Sequence, residues 1–197
     1  MDMKAKLAVF ASGNGTNFQA IDDAIVRGEI DASIELLVCD QPGAAVIERA
    51  KRAGVETLVL ARRDFPTKKA FEEEIVHACQ AHHVGYIFLA GYMRILGKAM
   101  LEAYPHRIVN IHPSLLPSFT GLDAIGQAFR KGVKITGITI HYVDEGMDTG
   151  PIIAQAAVPI KDDDTLEVLE ARIHETEHAL YPKTVAAILS RSSEVYQ

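Results

Sequence analysis

Apolar residues along this chain alternate between two periods. The short runs "KLAVFAS", "SIELLVCD", "ETLVLA" and "GYIFLAG" are continuous and rich in β-branched and aliphatic residues, as strands buried on both faces require. Between them, residues 16–27, 43–53 and 67–82 carry apolar positions at helical spacing. Phe18, Ile21 and Ile25 share one stripe, and Phe71, Ile75 and Cys79 share another. Strand and helix in succession predict parallel strands joined by right-handed crossovers. The expected fold class is therefore α/β, an open, twisted, mostly parallel sheet with helices on both faces. The second half continues with "RIVNIH" as a strand, a Pro-rich segment, a short helix around residues 125–130, and two extended stretches, "ITGITIHYV" and "PIIAQAAVPI". The loop "DEGMDTG" between the last two lets them pair antiparallel at the sheet edge. Residues 165–190 read as helix, in one piece or in two because Pro182 interrupts the pattern. With no repeat, low-complexity tract or linker, one domain spanning residues 1–197 is expected.

Composition narrows the functional classes. Apolar residues make up 48% of the chain, enough for a sizeable core. The net charge is −6, and the Lys and Arg residues form no basic stripe, which argues against a nucleic-acid partner. Cys39 and Cys79 are far apart and belong to no C-x-x-C unit, so neither a disulfide framework nor a thiolate zinc site is indicated, and a reducing cytoplasm fits. No apolar run reaches the roughly 20 residues of a membrane span, and the opening "MDMKAKLAVF" lacks the apolar stretch and cleavage site of a signal peptide. The acidic "KDDD" at 161–164 reads as a solvated turn feeding a helix N-terminus.

Five stretches could carry chemistry. "SGNGTN", residues 12–17, ends the first strand with two glycines, yet it is neither G-x-G-x-x-G nor a Walker A loop. Thr16 and Gln19 fit a capping box that starts a helix directly after the glycines, where free N–H groups and the dipole suit a single phosphate; an ordinary strand-to-helix turn is the alternative. "VNIHPSLLPSFTG", residues 109–121, places Asn110 and His112 two apart at the C-terminal end of a strand, so both point to one side. Asn110 can donate to a developing oxyanion and His112 can donate a proton, although a lone His is also a common structural residue. "VDEGMDTGP" clusters Asp144, Glu145 and Asp148. A carboxylate set beside an imidazole favours its charged form, and the spacing fails the calcium-loop pattern. In "LAGYMRIL", Met93, Arg94, Ile95 and Leu96 leave a strand as an apolar wall suited to a flat heterocycle, or simply as a strand running into a helix. His141 lies inside an extended stretch, and a role near the site is an alternative that is not preferred. A fifth stretch, "HETEH", residues 174–178, matches the H-E-x-x-H pattern of zinc peptidases, with His174 and His178 on one helix face; the alternative is a surface helix.

Taken in order, "SGNGTN", "AGYMRIL", "NIHPSLLPSF", "DEGMDTGPII" and "EHALYP" resemble the folate-dependent formyltransferases, in particular the branch acting on glycinamide ribonucleotide. The resemblance covers nearly the whole chain. It implies a Rossmann-like formyltransferase fold, the co-substrate 10-formyltetrahydrofolate and transfer of its formyl group to the amine of glycinamide ribonucleotide, as in de novo purine biosynthesis. It implies that Asn110, His112 and Asp148 form the catalytic centre and that Gly15, Thr16, Asn17, His174 and Glu177 bind the ribonucleotide. Lys68, Met93, Arg94, Ile95, Leu96, Asn110 and Asp144 would then bind the folate. No metal is required. In that reading Glu175 has no chemical role and the zinc hydrolase becomes a remote alternative; a formyltetrahydrofolate hydrolase or another formyltransferase is a nearer one. The expected partners are these two small molecules, without nucleic acid or membrane, and the chain could be a monomer or a homodimer. Thr120, Asp123 and Ile125 depart from residues common in the family, in the loop after the catalytic strand.

Overall fold

A computed structural model describes residues 4–194. Seven strands form one sheet in the order β3-β2-β1-β4-β5-β6-β7. They are β1 Ala5–Phe10, β2 Ala32–Cys39, β3 Glu56–Val59, β4 Tyr86–Leu89, β5 Ile108–His112, β6 Ile135–Tyr142 and β7 Ile152–Pro159. The first five pair in parallel, and β6 and β7 are added antiparallel. β7 is thus an edge strand, paired with β6 as the loop "DEGMDTG" suggested. The helices are α1 Thr16–Val26, α2 Ala45–Ala53, α3 Lys68–Ala81, α4 Lys98–Ala103, α5 Ala124–Lys131 and α6 Leu166–Glu194.

Side chains alternate across a strand, so each buried strand feeds two cores. Leu7, Val9, Leu37 and Phe88 pack beneath α1, α2 and α6 through Phe18, Ile21, Val46, Ile173 and Tyr181. Ala8, Phe10, Leu36, Ile87 and Leu89 face the other way, against Phe71 and Ile75 of α3 and Met100 of α4. The stripes read from the sequence are therefore the buried faces of their helices, with Ile25 partly buried.

Three features differ from or refine the sequence reading. α4 and a single 3₁₀ turn at Arg62–Asp64 were not anticipated, because six and three residues are too few for a periodicity to show. α6 is one helix of 29 residues that runs through Pro182. The expected capping box is absent: the left-handed Gly15 caps α1 without any side-chain hydrogen bond, and Gln19 donates to Asp23 one turn on, at 2.9 Å.

β1 has β2 on one side and β4 on the other. The connections leaving β1 and β4 at their C-terminal ends therefore diverge, which opens the crevice where open α/β sheets bind ligands.

Candidate active site

One group of residues gathers where β1 meets α1. Gly15 has φ 79, and a Cβ there would stand 2.4 Å from Val46 Cγ2, so the position needs glycine for both conformation and space. α2 holds this turn from below: Val46 N–H donates to the Gly13 carbonyl at 3.1 Å, and Arg49 donates to the Asn14 carbonyl and to Asn14 Oδ1, both at 2.8 Å. Because no side chain caps α1, its first N–H groups, beginning at Thr16, are left for another acceptor. α6 closes the group. Glu177, buried, accepts from Asn17 Nδ2 at 3.2 Å and lies 2.9 Å from His174 Nδ1. That hydrogen bond to Glu177 raises the pKa of the His174 imidazole, whereas burial lowers that of His178. Asn17 Oδ1 is buried without a hydrogen-bond partner.

A second group lies along the same sheet, at the end of β5. Asn110 and His112 stand two apart on this strand, and the antiparallel register sets Asn110 opposite His141 of β6. His141 Nδ1–H donates to the Tyr142 carbonyl at 2.9 Å, which leaves Nε2 to accept from Asn110 Nδ2 at 3.3 Å. Burial lowers the pKa of His141, in keeping with the neutral ring this pairing uses. His112 Nε2–H donates to the Phe119 carbonyl at 2.8 Å, and its Nδ1 faces Asp148 Oδ2 at 3.5 Å, an ion-pair distance rather than a hydrogen bond. Asp148 Oδ1 lies 3.9 Å from His141 Nε2, and Oδ2 accepts from Gly121 N–H at 2.8 Å. Phe119 and Asp148, at φ 54 and 56, both occupy the left-handed region, which costs a non-glycine residue on the order of 1–3 kcal/mol. Gly150 turns the loop back so tightly that a Cβ would overlap the Tyr142 carbonyl.

These two groups contain the eight residues expected at the catalytic and ribonucleotide positions. Residues 5–185 match the model of the formyl transferase family. The chain belongs to that family. It is 54% identical over 184 residues to the phosphoribosylglycinamide formyltransferase of Bacillus subtilis, an alignment covering 93% of this chain and 94% of that protein. It is 41% identical over 190 residues, 95% of its length, to 14% of the trifunctional purine biosynthetic protein adenosine-3 of Drosophila melanogaster. The crystal structure of glycinamide ribonucleotide transformylase 1 from Geobacillus kaustophilus superposes with a TM-score of 0.93 at 57% identity, over 95% of this chain and 100% of that one.

In this formyl transferase the segment after β4 carries Met93, Arg94, Ile95 and Leu96. Met93 and Ile95 are exposed apolar side chains, while Leu96 is buried. Arg94 donates from Nε to Asp40 Oδ2 at 2.6 Å. Lys68, the first residue of α3, lies at the far end of the same segment: its Nζ is 3.7 Å from Glu72, whose Oε1 accepts from Gly97 N–H at 2.7 Å. Asp144 shapes its own loop, accepting from Gly146 N–H and from the Thr149 hydroxyl. No hydrogen bond or ion pair described in the structure joins Lys68 or Asp144 to either group.

The H-E-x-x-H match has a different explanation in its surroundings. The His174 and His178 rings stack with centroids 6.4 Å apart, His174 engages Glu177, and Glu175 is exposed. Among the described residues no group of three or more His, Cys, Asp or Glu side chains could hold a metal ion. Nor is any helix among them long and apolar enough to cross a membrane.

The departures in the loop after β5 are built into it. Asp123, at φ 54, receives a hydrogen bond from Arg130; Gln127 donates to the carbonyls of Thr120 and Leu122; and Ile125 is buried. Sequence reasoning named His141 without preferring it, because its pairing with Asn110 is a cross-strand register. It missed Arg49 and Asp40, which act on loops from neighbouring elements and lie in no motif.

Proposed function

We propose that the chain is a phosphoribosylglycinamide formyltransferase. It transfers the formyl group of 10-formyltetrahydrofolate to the amine of glycinamide ribonucleotide, in the cytoplasm and without a metal. The observation that carries this reading is the pairing of two chemically distinct groups along one edge of the sheet. An uncapped helix N-terminus with Asn17 and Glu177 suits a phosphorylated sugar, and an amide hydrogen-bonded to His141, with a carboxylate 3.9 Å from that ring and 3.5 Å from His112, suits acyl chemistry.

The amine attacks the formyl carbon and a tetrahedral intermediate forms. Asn110, with one amide hydrogen directed to His141, has the other free to donate to the oxyanion, and His112 adds positive charge beside it. Asp148 orients His112 and provides the carboxylate through which the proton leaving the amine passes to N10 of the departing folate. The C–N bond to the acceptor forms on attack, and the bond to N10 breaks as the intermediate collapses. No covalent enzyme intermediate is needed. Gly15, Thr16 and Asn17 bind the phosphate, Glu177 with His174 binds the sugar end, and residues 93–96 with Asp144 and Lys68 hold the folate. The identity to the Bacillus subtilis enzyme supports the same assignment.

The test is to follow folate absorbance after mixing the protein with 10-formyltetrahydrofolate. Turnover that depends on glycinamide ribonucleotide is expected. Turnover without it would identify a hydrolase, and no turnover in either mixture would defeat the reading.

A further inference from the structure

The buried carboxylate of Asp40 takes no part in the proposed chemistry, yet three loops converge on it. Asp40 directly follows β2, which β1 and β4 separate from β5, and its side chain is 1% exposed. A carboxylate removed from water is costly unless hydrogen bonds and an opposite charge replace its hydration. Both oxygens are engaged here. Oδ1 accepts from the Ser12 hydroxyl, and Oδ2 accepts from Arg94 Nε at 2.6 Å and from Gln41 Nε2 at 3.2 Å. Ser12 Oγ in turn accepts from Met93 N–H at 2.9 Å, so the hydroxyl relays the carboxylate to the backbone of the segment after β4. The Arg94 guanidinium also lies 5.7 Å from the centre of the Phe71 ring.

Residues 91–97 form no helix or strand, and Met93 and Ile95 hold apolar side chains out to solvent. A segment without its own ladder of hydrogen bonds takes its shape from outside contacts. Its far end is held by Glu72 through Gly97 N–H; its near end is held at Gly91, whose carbonyl accepts from Ser12 N–H at 3.0 Å, and beyond that at Met93 and Arg94, both times through Asp40. The phosphate-side turn has separate supports in Val46 and Arg49, so loss of Asp40 leaves it in place.

We propose that Asp40 is a positioning residue for the folate-binding segment, acting through Ser12 on the Met93 backbone and through the Arg94 guanidinium. The inference rests on the assignment of residues 93–96 to the folate. Its signature is selective: binding of the folate weakens, while binding of the ribonucleotide does not. A residue needed only for the fold would shift both or neither.

The test uses the full chain with Asp40→Asn, Ser12→Ala, Arg94→Gln and the Asp40→Asn/Arg94→Gln double variant. Each is checked by thermal melting, by KM for both substrates and by calorimetric titration with tetrahydrofolate. In Asp40→Asn and Ser12→Ala the folate KM and the tetrahydrofolate Kd are expected to rise by about tenfold or more, the ribonucleotide KM staying within about twofold. The double variant is expected to lose less than the sum of its two parents' losses, since each parent already removes the Asp40–Arg94 contact. An unchanged folate KM in folded Asp40→Asn, an equal rise in both KM values, or additive losses in the double variant would overturn the proposal. Should Asp40→Asn not fold, Ser12→Ala decides by the same criteria. If the unmodified protein does not turn over these substrates, the function assigned above fails, while the tetrahydrofolate titrations still decide the role of Asp40.

Discussion

At the scale of single residues, the candidate centre works by setting donors and acceptors before any substrate arrives. His141 shows this: its Nδ1–H is committed to the Tyr142 carbonyl, so its Nε2 accepts from Asn110 and sets which end of that amide faces the cleft. His112 is held from both ring nitrogens, by Phe119 and by Asp148. Replacing His112 by Ala or Asp148 by Asn is expected to lower kcat by a factor on the order of 10² to 10⁴, with a far-ultraviolet circular dichroism spectrum like that of the parent. Near-normal kcat in either variant would remove that residue from the chemistry. Asn110 and His112 were legible because two residues apart on a strand share a face whatever the fold. By its local pattern Asp148 was one of three acids in a loop, and the family resemblance alone singled it out; in the structure it is Asp148 that faces His112, whereas the Asp144 carboxylate is occupied by Gly146 and Thr149.

Among the elements, α6 does most to assemble the site. Tyr181 is fully buried and its hydroxyl donates to the Leu89 carbonyl at 2.8 Å and to that of Val109 at 3.3 Å, which pins the helix over β4 and β5. Glu177 stands one turn earlier and thereby reaches Asn17. Tyr181→Phe leaves the packing and removes the hydroxyl, so a loss of about 1–3 kcal/mol is expected in urea unfolding, together with a raised ribonucleotide KM. An unchanged midpoint would show the hydroxyl to be dispensable.

The start of α6 carries a pH dependence. The "KDDD" turn is more than a solvated acidic run, because Asp164 accepts two hydrogen bonds from Arg172, at 2.6 and 2.7 Å. These bonds first, and then the Lys161 N–H, lower the Asp164 pKa from 3.8 to about 2. A carboxyl lowered in the folded state contributes stability that is complete above its unfolded pKa and is lost as pH falls through the folded one. The urea midpoint should therefore decline between about pH 4 and pH 2, and more shallowly in Asp164→Asn. Equal slopes for the two proteins would show that the pair contributes nothing.

For the molecule as a whole, the two candidate groups gather at the ends of β1 and β5 of a single sheet, and the packing on both faces holds their relative positions. The proposed transfer uses no metal, and in the H-E-x-x-H segment His174 is engaged by Glu177 while Glu175 faces solvent. Formyl transfer by purified protein is expected to survive dialysis against a chelator, with no stoichiometric zinc by elemental analysis; activity lost in chelator and restored by zinc would reverse that expectation.

The α/β class, the strands and the longer helices could be read from the chain because a strand buried on both faces and a one-sided helix each leave a period in the apolar residues. The glycine turn after β1 and the placing of Asn110 and His112 on one side of a strand were readable for the same local reason: neighbours in sequence are constrained by backbone geometry alone. What the sequence could not determine were contacts between residues far apart in the chain. Asn17 with Glu177, Asn110 with His141, and Asp40 with Ser12 and Arg94 are set by strand order, register and helix packing. Such contacts leave no periodicity, so only the tertiary structure decides which polar side chains are buried together and therefore which of them can act on one another.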